Sequence, residues 1–130
     1  IEIGSSRLLK KGKGIAVISI GPIGTMIEDL LEKENLEVTH LDMRFLKPID
    51  HNALEAIFKT HDHIITIEDG TVVGGLGSVV CDLAFAKAYQ GTIHKRGIPD
   101  AFIEHGPTAD LHKIAGIDDE SVLKLIKKLN

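Results

Sequence analysis

The chain has 130 residues, 43% hydrophobic but only 4% aromatic, with 15 basic against 19 acidic side chains and a formal net charge of -4. That length fits one domain with a core built from Leu, Ile, Val and Ala, and the acidic balance argues against a nucleic-acid partner, which needs excess cations to neutralise phosphates. No apolar run approaches the roughly 20 residues that span a bilayer, and Ile1 to Lys13 lacks the apolar stretch of a secretory signal. A cytoplasmic protein with no membrane partner is therefore expected. A first residue other than Met fits an excised or processed piece of a longer chain.

Arg7-Leu8-Leu9 reads as a short first strand. Ile15-Ala16-Val17-Ile18-Ser19-Ile20 is a nearly continuous apolar run ending at Gly21, the pattern of a strand covered on both faces. Met26, Ile27, Leu30 and Leu31 then recur at helical spacing, with Glu28, Asp29 and Glu32 opposite. Leu36 to Met43 is β-prone and half apolar, and Pro48 is placed to break it. Asp50 is positioned to cap a helix whose apolar face is Ala53, Leu54, Ile57 and Phe58.

Ile64-Ile65-Thr66-Ile67 predicts a second buried strand, ending in Glu68-Asp69-Gly70. The turn Gly74-Gly75-Leu76-Gly77-Ser78 leads into an apolar helix expected from about Val79 to Tyr89. Ile93 to Ile98 is a weak strand. Thr108 is placed to cap a short helix stopping at Gly116. Asp118 is placed to cap a last helix striped with Val122, Leu125, Ile126 and Leu129. Its early acids and late lysines suit the helix dipole. Strands alternating with helices predict an α/β sheet covered on both faces, and no linker or repeat divides residues 1–130.

Several segments carry candidate chemistry. The Gly74, Gly75, Gly77, Ser78 turn stands between strand and helix, where backbone N–H groups can cradle an anion. It matches neither the dinucleotide fingerprint nor the P-loop, and a tight turn with Ser78 as helix cap is the plainer reading. His61 and His63 would project from one strand face, yet no other His or Cys is near in sequence, so a solvated turn is favoured over a metal site. His105, in a loop, is the histidine best placed for a specific role; a structural hydrogen bond is the plainer one. Arg44 and Lys47 follow a strand, at the sheet edge where α/β proteins bind ligands. The alternative for Arg44 is an ion pair with Asp42, Asp50 or Glu68, or a contact at an interface. Cys81, the one cysteine, sits in an apolar helix and reads as a small buried hydrophobe. No nucleophile elbow or Ser-His-Asp spacing is present, and no residue is assigned a catalytic, cofactor-binding or metal-ligating role.

In order along the chain, Arg7-Leu8-Leu9 with Gly12, Asp42-Met43-Arg44-Phe45-Leu46-Lys47-Pro48-Ile49-Asp50, His61-Asp62, Thr66-Ile67-Glu68-Asp69, Gly74-Gly75-Leu76-Gly77-Ser78, Gly97-Ile98-Pro99-Asp100, Phe102-Ile103-Glu104-His105-Gly106 and Gly116-Ile117-Asp118 resemble the C-terminal domain of the 1-deoxy-D-xylulose-5-phosphate synthase family, within the transketolase group. The resemblance implies a three-layer α/β/α sandwich with a five-stranded, mostly parallel mixed sheet whose first strand is antiparallel. It implies a parent homodimer that condenses pyruvate with glyceraldehyde 3-phosphate, releases CO2, and feeds isoprenoid, thiamine and pyridoxal synthesis. Thiamine diphosphate and Mg2+ would sit in domains upstream of this one, which would buttress them and support the dimer. The family's diphosphate motif, Gly-Asp-Gly followed downstream by Asn, has its nearest counterpart in Glu68-Asp69-Gly70, and the only later Asn is Asn130. No cofactor is therefore expected in residues 1–130. Where the family often reads Glu-Glu-Asn, this chain has Glu68-Asp69-Gly70. The equivalent domain of a transketolase or a 2-oxo-acid dehydrogenase β subunit, and a free-standing anion- or nucleotide-binding module, are the alternatives; Pro99 to Gly106 favours the synthase.

Overall fold

The computed structural model of the chain describes residues 2–71, 74–98 and 116–130. In chain order these form β1 (Arg7–Lys10), β2 (Gly14–Ile20), α1 (Ile23–Lys33), β3 (Thr39–Asp42), α2 (His51–Thr60), β4 (His61–Thr71), α3 (Leu76–Ala86), β5 (Thr92–Ile98) and α4 (Asp119–Leu129). The strands make one sheet in the order β1-β3-β2-β4-β5. β1 runs antiparallel to β3, and the remaining pairs are parallel. This is the mixed five-stranded sheet with an antiparallel first strand that the resemblance implies.

Side chains along a strand point alternately to opposite faces, and here both faces are covered. Ile15 and Val17 of β2 with Ile65 and Ile67 of β4 pack under α1 and α4. Ala16 and Ile18 of β2, Leu41 of β3 and Ile64 of β4 pack under α2 and α3. The unbroken apolar runs of β2 and β4 follow from this double covering, and both strands are interior to the sheet, as their composition predicts.

The ends of the elements have local causes. α1 stops where Asn35 takes a positive φ of 50°. Leu36 N–H then reaches Leu31 C=O at 3.0 Å and Asn35 N–H reaches Glu32 C=O at 3.1 Å, so two terminal carbonyls are satisfied by a left-handed cap. α2 starts at the expected cap: Asp50 Oδ1 accepts from Ala53 N–H at 3.1 Å. Its Oδ2 accepts from Ser6 N–H at 3.0 Å and Ser6 Oγ at 2.8 Å, which ties the segment before β1 to α2. Burial alone would raise the Asp50 pKa, but the bonds from Ser6 and Ala53 outweigh it and hold the carboxyl below its usual range.

Four expectations are corrected. β3 ends at Asp42, well before Pro48: Asp42 Oδ1 accepts the Arg44 N–H at 3.2 Å, and Arg44 at φ 60° turns the chain. α3 begins three residues earlier than expected, at Leu76, and ends at Ala86 rather than at Tyr89. It ends because Ala88 sits at φ 56° while Tyr89 N–H caps Ala84 C=O at 2.9 Å. Asp118 occupies the N-cap position of α4 but makes no side-chain cap bond. His61 and His63 are not on a turn, because α2 passes straight into β4 at His61. The short helix expected from Thr108, the Pro99 to Gly106 segment and His105 lie outside the described residues.

Candidate functional site

Parallel strands bring their C-terminal ends to one edge of the sheet. That edge assembles Arg44 after β3, Glu68 on β4, and the glycine-rich turn before α3. Glu68 lies opposite Ile20 in the β2–β4 register and is 4% exposed. Its Oε1 accepts from Leu76 N–H and its Oε2 from Gly77 N–H, both at 3.1 Å. The first N–H groups of a helix have no partner within the helix and carry the positive end of its dipole. A carboxylate of the chain itself fills that position here, and this is why α3 can begin inside the glycine turn.

The glycines make the approach possible. A Cβ at Gly77 would lie 2.8 Å from Lys95 Cγ and Cδ and from Thr66 Oγ1, so α3 can press onto β4 and β5 only without a side chain there. Gly74 takes φ +74°, which disfavours other residues. Gly75, not Ser78, is the N-cap residue of α3, and it makes no side-chain cap bond. Ser78 Oγ instead accepts from Gly74 N–H at 3.2 Å across the turn.

Arg44 does not form the expected ion pair with Asp42, Asp50 or Glu68; the one ion pair found among the described residues joins Lys87 to Glu55 at 2.7 Å. The reason lies in the partners' prior engagements. Asp42 Oδ1 accepts the Arg44 main chain, Asp50 is held by Ser6 and Ala53, and Glu68 caps α3. Arg44 is therefore a half-buried, left-handed corner residue.

Two histidine arrangements carry no sequence signal beyond their strand positions. His40 on β3 is fully buried, with Nε2 at 2.8 Å from Ser19 Oγ and Nδ1 unpartnered among the described residues. Burial pushes its pKa down to about 4, only partly offset by Asp42, so the ring is neutral near pH 7. His61 sits in a chain of bonds whose directions can be worked out. Thr60 donates its hydroxyl to Ala56 C=O at 2.7 Å, so its oxygen accepts from His61 Nδ1 at 2.8 Å. His61 Nε2 then accepts from Thr39 Oγ1 at 2.7 Å, and Thr39 accepts from Gly12 N–H at 2.9 Å. This satisfied network links α2, β4, β3 and the β1–β2 connection, and burial lowers the His61 pKa.

The chemistry available is limited. Among the described residues, no group of three or more His, Cys, Asp or Glu side chains is arranged to hold a metal. The Cys81 thiol is half-buried and burial raises its pKa, with Asp82 adding and Lys95 opposing; a protonated thiol is a poor nucleophile. The resemblance places thiamine diphosphate and Mg2+ in upstream domains, and Glu68, the buried carboxylate among the described residues of this edge, does not fit them. A metal-bound diphosphate needs a carboxylate free to coordinate, and Glu68 is committed to two helix N–H groups. No helix of the described residues is long and apolar enough to cross a membrane.

The chain is thus an α/β sandwich on a five-stranded mixed sheet, with the buried Glu68 capping its own helix at the C-terminal edge of the parallel strands. Comparison with known proteins gives the family. The profile described as transketolase, C-terminal domain, matches residues 4–122, and the chain belongs to that family. The 1-deoxy-D-xylulose-5-phosphate synthase of Bacteroides thetaiotaomicron is 43% identical over 98% of this chain and 20% of its own length. That of Cytophaga hutchinsonii is 41% identical over 100% of this chain and 21% of its own length. The chain thus spans about one fifth of these curated relatives. A solved structure described as a split-gene transketolase, inactive beta4 tetramer, superposes with a TM-score of 0.85 at 29% identity, covering 99% of this chain and 43% of that one.

Proposed function

We propose that the chain is the non-catalytic C-terminal domain of a thiamine-diphosphate-dependent 1-deoxy-D-xylulose-5-phosphate synthase. The parent condenses pyruvate with glyceraldehyde 3-phosphate and releases CO2. Thiamine diphosphate and Mg2+ are bound by upstream domains of the same polypeptide, and the parent is a cytoplasmic homodimer whose assembly this domain supports.

The observation that carries the supporting role is the Glu68 cap. An anion- or nucleotide-binding module would use the N–H groups at the start of α3 for its ligand, but Leu76 and Gly77 N–H already face Glu68. An incoming anion would have to displace a buried carboxylate and leave it unpaired, a cost of several kcal/mol. The identity of the parent reaction rests on likeness to the synthases over the whole chain.

Reconstitution tests the reading. The upstream four-fifths of the synthase is produced separately and assayed for pyruvate-dependent CO2 release with and without this chain. Restored turnover on adding the chain is the expected result. Full turnover of the upstream fragment alone, or any turnover by this chain alone, would contradict it.

A further inference from the structure

We propose that the cleft between β1 and α2 is a docking surface for an apolar segment, flanked by carboxylates, from the remaining part of the longer synthase polypeptide. This rests on the reading of the chain as one domain of that enzyme, and it names the surface through which the domain engages the rest.

Leu8 of β1 pairs with Leu41 of β3, so both project to the α2 face. Leu41 is 4% exposed beneath α2, whereas Leu8 is 54% exposed. The helix layer on this face packs on β3, β2, β4 and β5, while Leu8 of β1 stays exposed. What remains is a cleft of about 510 Å³ walled by Leu8, Leu41, Ala53, Ala56 and Ile57. Ala53 and Ala56 give α2 a low ridge there, which lets another backbone approach closely. Ser6 also lines the cleft and is held by Asp50, so the walls are fixed on both sides.

The occupant follows from what lines the cleft. Small-molecule pockets pair apolar walls with a few polar groups aimed at the ligand. Here the candidates are already used: Thr39 and His61 bond each other, and Thr39 also holds Gly12 N–H. A partner side chain therefore finds apolar surface at the floor, and exposed apolar surface of this kind marks protein contact. Lys11 and Lys13 stand at the rim, and among the described residues neither is in an ion pair, so flanking carboxylates complement them. Four-fifths of the length of the curated relatives has no counterpart in this chain, which supplies the covering segment.

Thiol labelling tests the proposal. Ala56 is exposed on α2, and Ala56→Cys in a Cys81→Ser background reports cover over the cleft through its rate of reaction with a maleimide. The expected result is labelling at least tenfold slower in the full-length protein than in residues 1–130 alone. Equal rates in a full-length protein that retains synthase turnover would overturn the docking and leave the functional reading intact; loss of the synthase identity itself would strike the reading first. Labelling that slows as the concentration of the isolated chain rises, with a dimer in sedimentation, would overturn the proposal in favour of a second copy. Leu8→Glu gives an independent check: melting of the isolated chain should not change, and melting of the full-length protein should fall. A fall in neither would also overturn it.

Discussion

The two faces of the sheet are finished differently. Under α1 and α4, Ile15, Val17, Ile65 and Ile67 meet amphipathic helices whose outer sides present Glu28, Asp29, Glu32, Lys124, Lys127 and Lys128 to water. Under α2 and α3 the core is as well packed at its centre, and the outer sides carry charged residues such as Lys59, Asp82 and Lys87, but a few large or apolar groups also stay exposed. Leu8 is 54% exposed, Phe85 on α3 is 91% exposed, and α2 shows Ala56 outward. Helices with charged outer faces need no partner to be soluble, whereas exposed apolar surface such as that beside Leu8 and Ala56 marks contact. Core packing is thus complete on both faces, and the exposed apolar surface beside β1 is separate from it.

Substitutions should separate the two faces by the size of their effects. The largest is expected on the closed face: Ile65→Ala removes a fully buried side chain between α1 and α4 and should cost about 2–5 kcal/mol in denaturant unfolding. A loss under 1 kcal/mol would mean that this face is loosely packed. Next comes Glu68→Gln, which keeps the shape but turns an amide NH2 toward a helix N–H; a loss of about 1–3 kcal/mol is expected. Retention of full stability would remove the cap from the account.

His40 predicts a pH dependence of similar size. Its folded pKa of about 4 lies below the ordinary 6.5, so between those values the unfolded chain binds a proton that the folded chain does not. Stability should therefore be full above pH 6.5 and fall as pH drops toward 4, by about 2 kcal/mol between pH 7 and pH 5. Unfolding midpoints at the two pH values check this, and His40→Gln should flatten the slope; an unchanged slope would contradict it. The smallest effect belongs to the open face. Phe85→Ser should shift stability of the isolated chain by no more than about 0.5 kcal/mol, and a larger loss would mean that the ring packs within the chain.

Much of this fold was legible because apolar pattern and strand covering are the same fact. The runs at Ile15–Ile20 and Ile64–Ile67 could only be doubly covered strands, and the stripe of Val122, Leu125 and Ile126 could only face a core. Asp50 was readable as a cap because capping is local. What escaped the sequence was long-range or left-handed. Ala88 at positive φ carries no glycine to announce the end of α3, and Ser78 looked like its cap because Glu68, eight residues before Leu76, is not a neighbour in any local pattern. Arg44 was expected to pair with Asp42, Asp50 or Glu68, but Asp42 holds its main-chain N–H, and Asp50 and Glu68 are bonded elsewhere. His40 gave no sign of burial because a histidine in a half-apolar strand reads as its wet side.

Calorimetric titration of thiamine diphosphate with Mg2+ into purified residues 1–130 asks whether this domain supports chemistry done elsewhere. No saturable heat is expected up to millimolar cofactor, because Glu68, the buried carboxylate among the described residues at the C-terminal edge of the strands, is held by Leu76 and Gly77 N–H. Saturable binding at micromolar cofactor would contradict the account.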